Sequence, residues 1–407
     1  MEELSRTLDE VLRREKSRVV GGLVRRLGSI DAAEDAFQEA VIAAIQGWQA
    51  HGMPENPAAW LTTAAKNHAR DAARHRRVVD AKAPLLVEPN MVIPETIESV
   101  SDDELRLIFT CCHPVLTLES QVALTLKVVA GFSTDEIARA FLSPEKTVAQ
   151  RIVRAKKTIE DNHVPYEVPD RADLPERLTS VLAVVYLVFN EGYTTRDGAL
   201  MRLDLQAEAL RLAKLLCNLL PTEPEVFGLL ALVACSFARA ATRTDESGEL
   251  LLLSEQDRSR WDKATIKEGL MALEHARRLG GREGYVLQAE IAACHATAKE
   301  WETTDWSAIL RYYDELMVRS PSPVVALNRA VAVCMHQGPK EALAALAALA
   351  VPLGRYHLFY AMRADFRGRL GEDARDDYRR ALDLTGNESE RQFLRRQIGK
   401  IDEAQRR

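Results

Sequence analysis

Apolar residues recur at three- and four-residue steps through most of this chain, whereas strict alternation of apolar and polar residues is scarce. That pattern predicts helices almost throughout, in keeping with abundant Ala, Leu, Glu and Arg. Two stretches break it. Residues 78–100 carry Pro84, Pro89 and Pro94 without a helical period, and residues 161–176 carry Pro165, Pro169 and Pro175. Proline at such spacing prevents a continuous helix, so both stretches read as linkers. They divide the chain into helical parts at roughly 1–77, 101–160 and 177–407.

In the first part, SIDAAEDAFQEAVIAAIQGW (29–48) predicts a helix whose start carries Asp31, Glu34, Asp35 and Glu39, where carboxylates favour the positive dipole end. Phe37, Val41 and Ile45 follow at four-residue steps and are expected to face a core. A second helix is predicted from Pro57, with Asn56 as its cap. Leu61, Ala65, Ala69 and Ala72 form a stripe that packs; Lys66, Arg70, Arg74 and Arg77 form another that faces outward.

Residues 120–157 predict three helices. The first ends at Gly131, and the second is capped by Ser133 or Thr134 with Glu136 in its first turn. That second helix carries Ile137, Ala138, Phe141 and Leu142. Ser143 as cap and Pro144 at the first helical position open the third. Val148, Ile152 and Ala155 face inward, leaving Lys146, Thr147, Gln150, Arg151 and Arg154 on the other faces. A short helix, a tight turn and a basic amphipathic helix form the arrangement of a helix-turn-helix DNA reader. Residues near the start of its second helix reach base edges and the cations beyond them hold phosphates. An ordinary helical hairpin has the same pattern.

Charge sharpens this picture. The net charge is −6, yet Lys66–Lys82 holds six Lys/Arg against two Asp, and Glu145–Lys157 holds five against one acid. Like charges four apart destabilise a helix, and a polyanion relieves them, so nucleic acid is the favoured partner over a merely solvated face. An acidic helix followed by a basic one suggests a protein partner and a nucleic-acid partner; a solvated acidic face fits the same local sequence.

Composition sets the outer bounds. With 407 residues and 47% hydrophobic content the chain can bury a large core in two or three domains. A charged fraction of 28% and the lack of low-complexity tracts argue against general disorder. The charged, amphipathic start is unlike a secretory signal, and no apolar run is read as long enough to cross a bilayer. Six cysteines without a CxxC pair fit reduced thiols in the cytoplasm. CCHP (111–114) lacks a second ligand pair at finger-like spacing, so Cys111 and Cys112 are expected to be small buried hydrophobes, not zinc ligands. ETTDW (302–306) reads as a helix cap, not a metal loop. With no GxGxxG and no phosphate-binding GxxxxGKS or GxxxxGKT loop, nucleotide hydrolysis has no support; no residue set demands an enzyme, and neither cofactor nor metal is expected.

The stretches DAAEDAFQEA (31–40), PENPAAWLTTAAKNHARDAARHRR (54–77) and SPEKTVAQRIVRAKKTI (143–159) resemble the extracytoplasmic-function sigma factors of bacterial RNA polymerase. The resemblance implies an all-α chain with sigma region 2 at 1–80, a linker at 81–100, region 4 at 101–162 and a second linker at 163–176. It implies that Asp31, Glu34, Asp35, Gln38 and Glu39 dock on core polymerase. The loop Met53–Asn56 and Trp60, Lys66, Asn67, Arg70, Asp71, Arg74 and Arg77 would hold the −10 element. An extruded base needs a pocket and its phosphates need cations, although Trp60 reads better as core than as a stacking ring. Lys146, Thr147, Gln150 and Arg151 would read the −35 element, with Arg154, Lys156 and Lys157 on phosphate.

Such sigma factors in minimal form would stop near residue 165. The remainder, 177–407, has Gly338 followed by Ala342, Leu346 and Leu349, and Gly371 followed by Ala374, Tyr378 and Ala381. This spacing resembles degenerate tetratricopeptide repeats, which stack into a helical domain with a concave surface. FNEGYTTRDG (189–198), SEQDRSRWDKATI (254–266) and EGYVLQAEIAACHA (283–296) resemble the extension of one sigma subgroup, thought to govern activity. Asn190, Glu191, Asp257, Arg258, Arg260 and Trp261 are expected to form a buried network or, alternatively, a regulatory surface contacting the sigma domains. The expected partners are core polymerase and promoter DNA, with no membrane. A stand-alone helix-turn-helix regulator with a helical sensor domain is the alternative.

Overall fold

A computed structural model describes residues 2–79, 97–141, 143–193, 203–245 and 251–406. It is all-α, with no strand among the described residues, and divides into two compact units, Met1–Val188 and Phe189–Arg407. The linker expected at 81–100 lies largely outside the described residues.

The first unit begins with α1 (Glu2–Leu27), α2 (Ile30–His51) and α3 (Pro57–Val79). These three pack on one another through Leu12, Val19, Val20 and Leu23 of α1, Ala33, Phe37, Ala40, Ala44 and Trp48 of α2, and Leu61, Ala65 and Ala69 of α3. The alanines let the helix axes come close. Ile45 is not in this core: it is 38% exposed, and Val41 is only half-buried. Each four-residue step turns a helix about 40° beyond one full turn, so two steps from Phe37 carry the side chain off the buried stripe.

The unit continues with α4 (Ile97–Cys111), α5 (Leu118–Val128), α6 (Thr134–Ala140), α7 (Glu145–Asp161) and, as far as Val188, α8 (Leu174–Tyr193). The α4 backbone approaches α1 where Gly21 lies; a Cβ there would sit 2.8 Å from the Asp103 carbonyl oxygen. Ser133 caps α6 in a reciprocal box, accepting from the Glu136 N–H at 3.1 Å while its own N–H donates to the Glu136 carboxylate at 2.7 Å. The start of α7 departs from expectation. Pro144 is the cap residue itself, and the Ser143 hydroxyl donates back to the Phe141 carbonyl at 3.1 Å instead of capping the helix. Val148, Ile152, Ala155 and Ile159 bury the inner face of α7 against α5 and α6.

The second unit stacks α9 (Leu203–Leu219), α10 (Pro224–Phe237), α11 (Lys263–Arg278), α12 (Gly284–Thr297), α13 (Trp306–Arg319) and α14 (Pro323–His336). It ends with α15 (Pro339–Ala347), α16 (His357–Arg369), α17 (Arg375–Leu384) and α18 (Glu388–Arg406). Packing runs mainly between elements close in sequence, the pattern of a helical-repeat array. Ala342, Leu346 and Leu349 are buried, as are Ala374, Tyr378 and Ala381, as their spacing predicts. Gly338 and Gly371 precede these groups with φ of 117° and 76°, a region that side chains rarely adopt.

One stretch corrects the sequence reading. Pro224–Thr242 is apolar and long enough to cross a bilayer by length and composition, yet most of it is buried within the protein. It packs against α9, α11 and α12 as a core helix.

Candidate functional site

The acidic side of α2 grows from its first turn. Ser29 caps the helix by accepting from the Ala32 N–H, and Asp31, Asp35, Gln38 and Glu39 project outward. Glu34 differs from them, being only 7% exposed. Its carboxylate accepts from Lys16 of α1 at 3.0 Å and from Lys156 of α7 at 2.8 Å. Lys156 also reaches Asp31 at 2.5 Å, and Lys16 donates to the Lys127 carbonyl at 2.6 Å.

This cluster is close to charge-neutral, with two carboxylates and two ammonium groups, which is how burial of ions becomes tolerable. Burial opposes the charge on Glu34, but Lys16 and Lys156 outweigh it and hold the carboxyl below its ordinary 4.5. Lys156 feels the same opposing burial, and Glu34 with Asp31 raises it above its ordinary 10.5. For Lys16 burial wins and lowers the pKa. The stabilisation from the Glu34 pairing is present above 4.5 and fades as pH falls through the lowered value. That from Lys156 is present below 10.5 and fades as pH rises through the raised value. The contact therefore persists across neutral pH.

Around it, Arg25 and Arg106 pair with the buried Asp103 at 3.0 and 2.9 Å. The Tyr166 hydroxyl lies 2.9 Å from the carbonyls of both Gly21 and Asp103, tying the segment after α7 to α1 and α4. A cavity of about 270 Å³ beside Asp31 and Lys156 shows that this junction is not close-packed. Thus Asp31, Glu34 and Lys156, which the sequence assigns to two different partners, meet one another. Lys16, Asp103 and Tyr166 are the members that the sequence reading missed. Lys16 carried a signal: it is the one cation within the stripe Leu12, Lys16, Val19, Val20, Leu23.

The loop after α2 turns at Gly52, whose φ is 82°, and Asn56 caps α3 by accepting from the Ala59 N–H at 3.0 Å. Trp60 is half-buried, edge-on to Trp48 with ring centroids 5.3 Å apart, so it braces α3 on α2. Lys66 is half-buried, while Asn67 and Arg70 are exposed. Asp71, Arg74 and Arg77 fall on α3 with side chains outside the described set.

On α7, Lys146, Thr147 and Gln150 stand exposed in the first turns, Arg151 is half-buried, and Arg154 and Lys157 are exposed further along. An apolar residue, Val153, shares this outer face at 65% exposure. The helix offers base-edge reach at one end and cations beyond it, as a major-groove reader requires. Cys111 and Cys112 are fully buried, and burial pushes the Cys112 thiol up to about 12, so it stays protonated. No group of three or more His, Cys, Asp or Glu able to hold a metal occurs among the described residues.

In the second unit the polar set divides. Arg258 is buried, donates to the carbonyls of His295 at 2.6 Å and Ala298 at 3.0 Å, and stacks 4.8 Å over the buried Trp261. These two form an internal joint to the end of α12. Asp257 and Arg260 are exposed, Asp257 accepting from the Ser259 N–H at 2.9 Å. Asn190 and Glu191 are half-buried near the end of α8, and residues 194–198 of the same motif lie outside the described residues.

Comparison with known proteins follows this layout. Residues 11–78 match the family described as Sigma-70 region 2, and residues 106–159 match Sigma-70, region 4. Residues 177–277 match a family of unknown function, DUF6596. The uncharacterized protein R00370 of Rhizobium meliloti is 40% identical over 401 residues, 96% of this chain and 95% of its own length. RNA polymerase sigma factor CarQ of Myxococcus xanthus is 31% identical over 131 residues, 32% of this chain and 73% of its own length.

Proposed function

The chain belongs to the sigma-70 family of RNA polymerase sigma factors, and we propose that it binds core polymerase through α2 and directs it to promoters read by α3 and α7. The observation that carries this reading is the order of parts: a region 2 bundle with an acidic α2 and basic α3, followed by a helix-turn-helix with exposed cations on α7. In this reading Asp35, Gln38 and Glu39, free of the cluster that holds Asp31 and Glu34, make the first contact with polymerase. Asn67 and Arg70 hold the melted −10 strand, and Lys146, Thr147 and Gln150 read the −35 duplex while Arg154 and Lys157 hold phosphate.

The Asp31–Glu34–Lys156 cluster gives this function a closed state. The same carboxylates cannot pair with polymerase and with Lys156 at once, so region 4 leaves α2 when polymerase binds. The second unit governs that step in place of a separate regulator. Asp257 and Arg260 are its accessible points of contact, whereas Arg258 and Trp261 hold its structure. Its place of action is the cytoplasm, with the polymerase.

Gel-shift titration separates a sigma factor from a stand-alone regulator. The chain alone should bind promoter duplex weakly, and adding core polymerase should produce a specific complex. Tight specific binding by the chain alone would favour the regulator. Charge reversal at Asp257 or Arg260 should change promoter output with the melting temperature unchanged; equal output with intact folding would remove the regulatory role from this surface.

A further inference from the structure

A cavity of about 430 Å³ opens within the second unit, between the segment after residue 251 and helices α13, α14, α16, α17 and α18. Its size lies in the range of small-molecule sites, roughly 300–1,000 Å³. One wall is a run of rings: His295 is edge-on to Trp306 at 5.2 Å, and Trp306 is edge-on to Trp301 at 4.9 Å. Met335, Met362 and Phe366 add adaptable apolar surface from α14 and α16.

The charged groups in the lining already satisfy each other. Arg369 donates to Asp365 at 2.9 Å, so neither calls for a counter-ion. Burial, with Arg239 and Arg258 nearby, pushes His295 down to about 4, leaving an uncharged imidazole at neutral pH. Its Nδ1 is buried with no hydrogen-bond partner. Such an orphaned atom is uncommon in folded proteins, and on a residue that lines a cavity it marks a place where polar contact is still to be made.

We propose that this cavity is a binding site for an uncharged, largely apolar small molecule that stacks on the Trp301–Trp306 wall and makes a hydrogen bond at His295. An anion would find no unpaired cation there, and a cation no unpaired carboxylate. The site lies wholly within the second unit, so binding is independent of the promoter assignment.

The test uses the full-length chain and the uncharged dye Nile red, followed by its own fluorescence. Saturable one-to-one binding is expected, at least tenfold tighter than that of the anionic dye 8-anilinonaphthalene-1-sulfonate. Ala361→Trp, which fills the cavity from α16, should weaken Nile red binding at least tenfold. His295→Phe keeps the ring packing and should weaken it by a smaller factor of about three. Binding is located in the unmutated chain by methionine-methyl NMR, where the Met335 and Met362 signals should shift. This reading stays decisive even if a variant fails to fold. No saturable binding, equal or tighter binding of the anionic dye, or shifts confined to other methionines would overturn the proposal.

Discussion

Lys156 shows how a single side chain can join two helices that the sequence treats separately. It was placed by sequence among the phosphate-binding cations of α7, and it is found between Asp31 and Glu34 of α2. Removing its charge leaves Glu34 paired with Lys16, so the fold survives while the link to α7 is lost. Lys156→Ala is therefore expected to raise affinity for core polymerase, measured without DNA by fluorescence anisotropy, by about threefold or more. Unchanged affinity would show that the cluster does not compete with polymerase. Because Glu34 is held below its ordinary 4.5 and Lys156 above its ordinary 10.5, their pairing should make wild-type affinity respond little to pH between about 6 and 9. Removing Glu34 instead would leave Lys16 buried without its carboxylate, at a cost of about 3–5 kcal/mol, so Glu34→Ala reports on stability before function. The thiols give a separate check. Cys111 and Cys112 are fully buried, with burial pushing both upward. Neither should react with a thiol reagent at neutral pH until the protein is unfolded, and rapid native labelling of either would contradict that burial.

At the scale of elements, much of the local structure was legible in the sequence because its signals act locally. Asn56 caps α3, Ser133 and Glu136 box the start of α6, and the stripe Leu61, Ala65, Ala69 is buried as its period predicts. Ile45 was misread because four-residue steps drift around a helix, and Ser143 because its hydroxyl had a nearer acceptor in the Phe141 carbonyl. The apolar length of Pro224–Thr242 was also missed, although it is a contiguous run; that α9, α11 and α12 bury most of it is what only the fold shows. Ser133→Ala removes one half of the capping box and should cost about 1 kcal/mol in denaturant unfolding, weakening the seating of α7. No loss of stability would mean the cap is redundant. Arg154→Ala should lower the slope of log affinity against log salt for promoter duplex, in the polymerase complex, by about 1. A shift in sequence preference with an unchanged slope would instead assign Arg154 to a base.

For the whole molecule, the family could be read from the sequence because its motifs are stretches of contiguous residues on α2, α3 and α7. The closed cluster could not: Lys16, Glu34 and Lys156 come from three helices, and only folding brings them together. The cavity of the second unit was equally hidden, being assembled from short pieces of many helices, although its neighbours Arg258 and Trp261 stood out in the sequence as an unusual pair. The measurement that tests the central claim most directly is run-off transcription with purified core polymerase on a library of bacterial promoter fragments. The full-length chain should produce discrete transcripts that core polymerase alone does not, and reversing charge at both Asp35 and Glu39 should reduce them at least tenfold. Failure of the full-length chain both to initiate and to bind core polymerase would contradict the assignment.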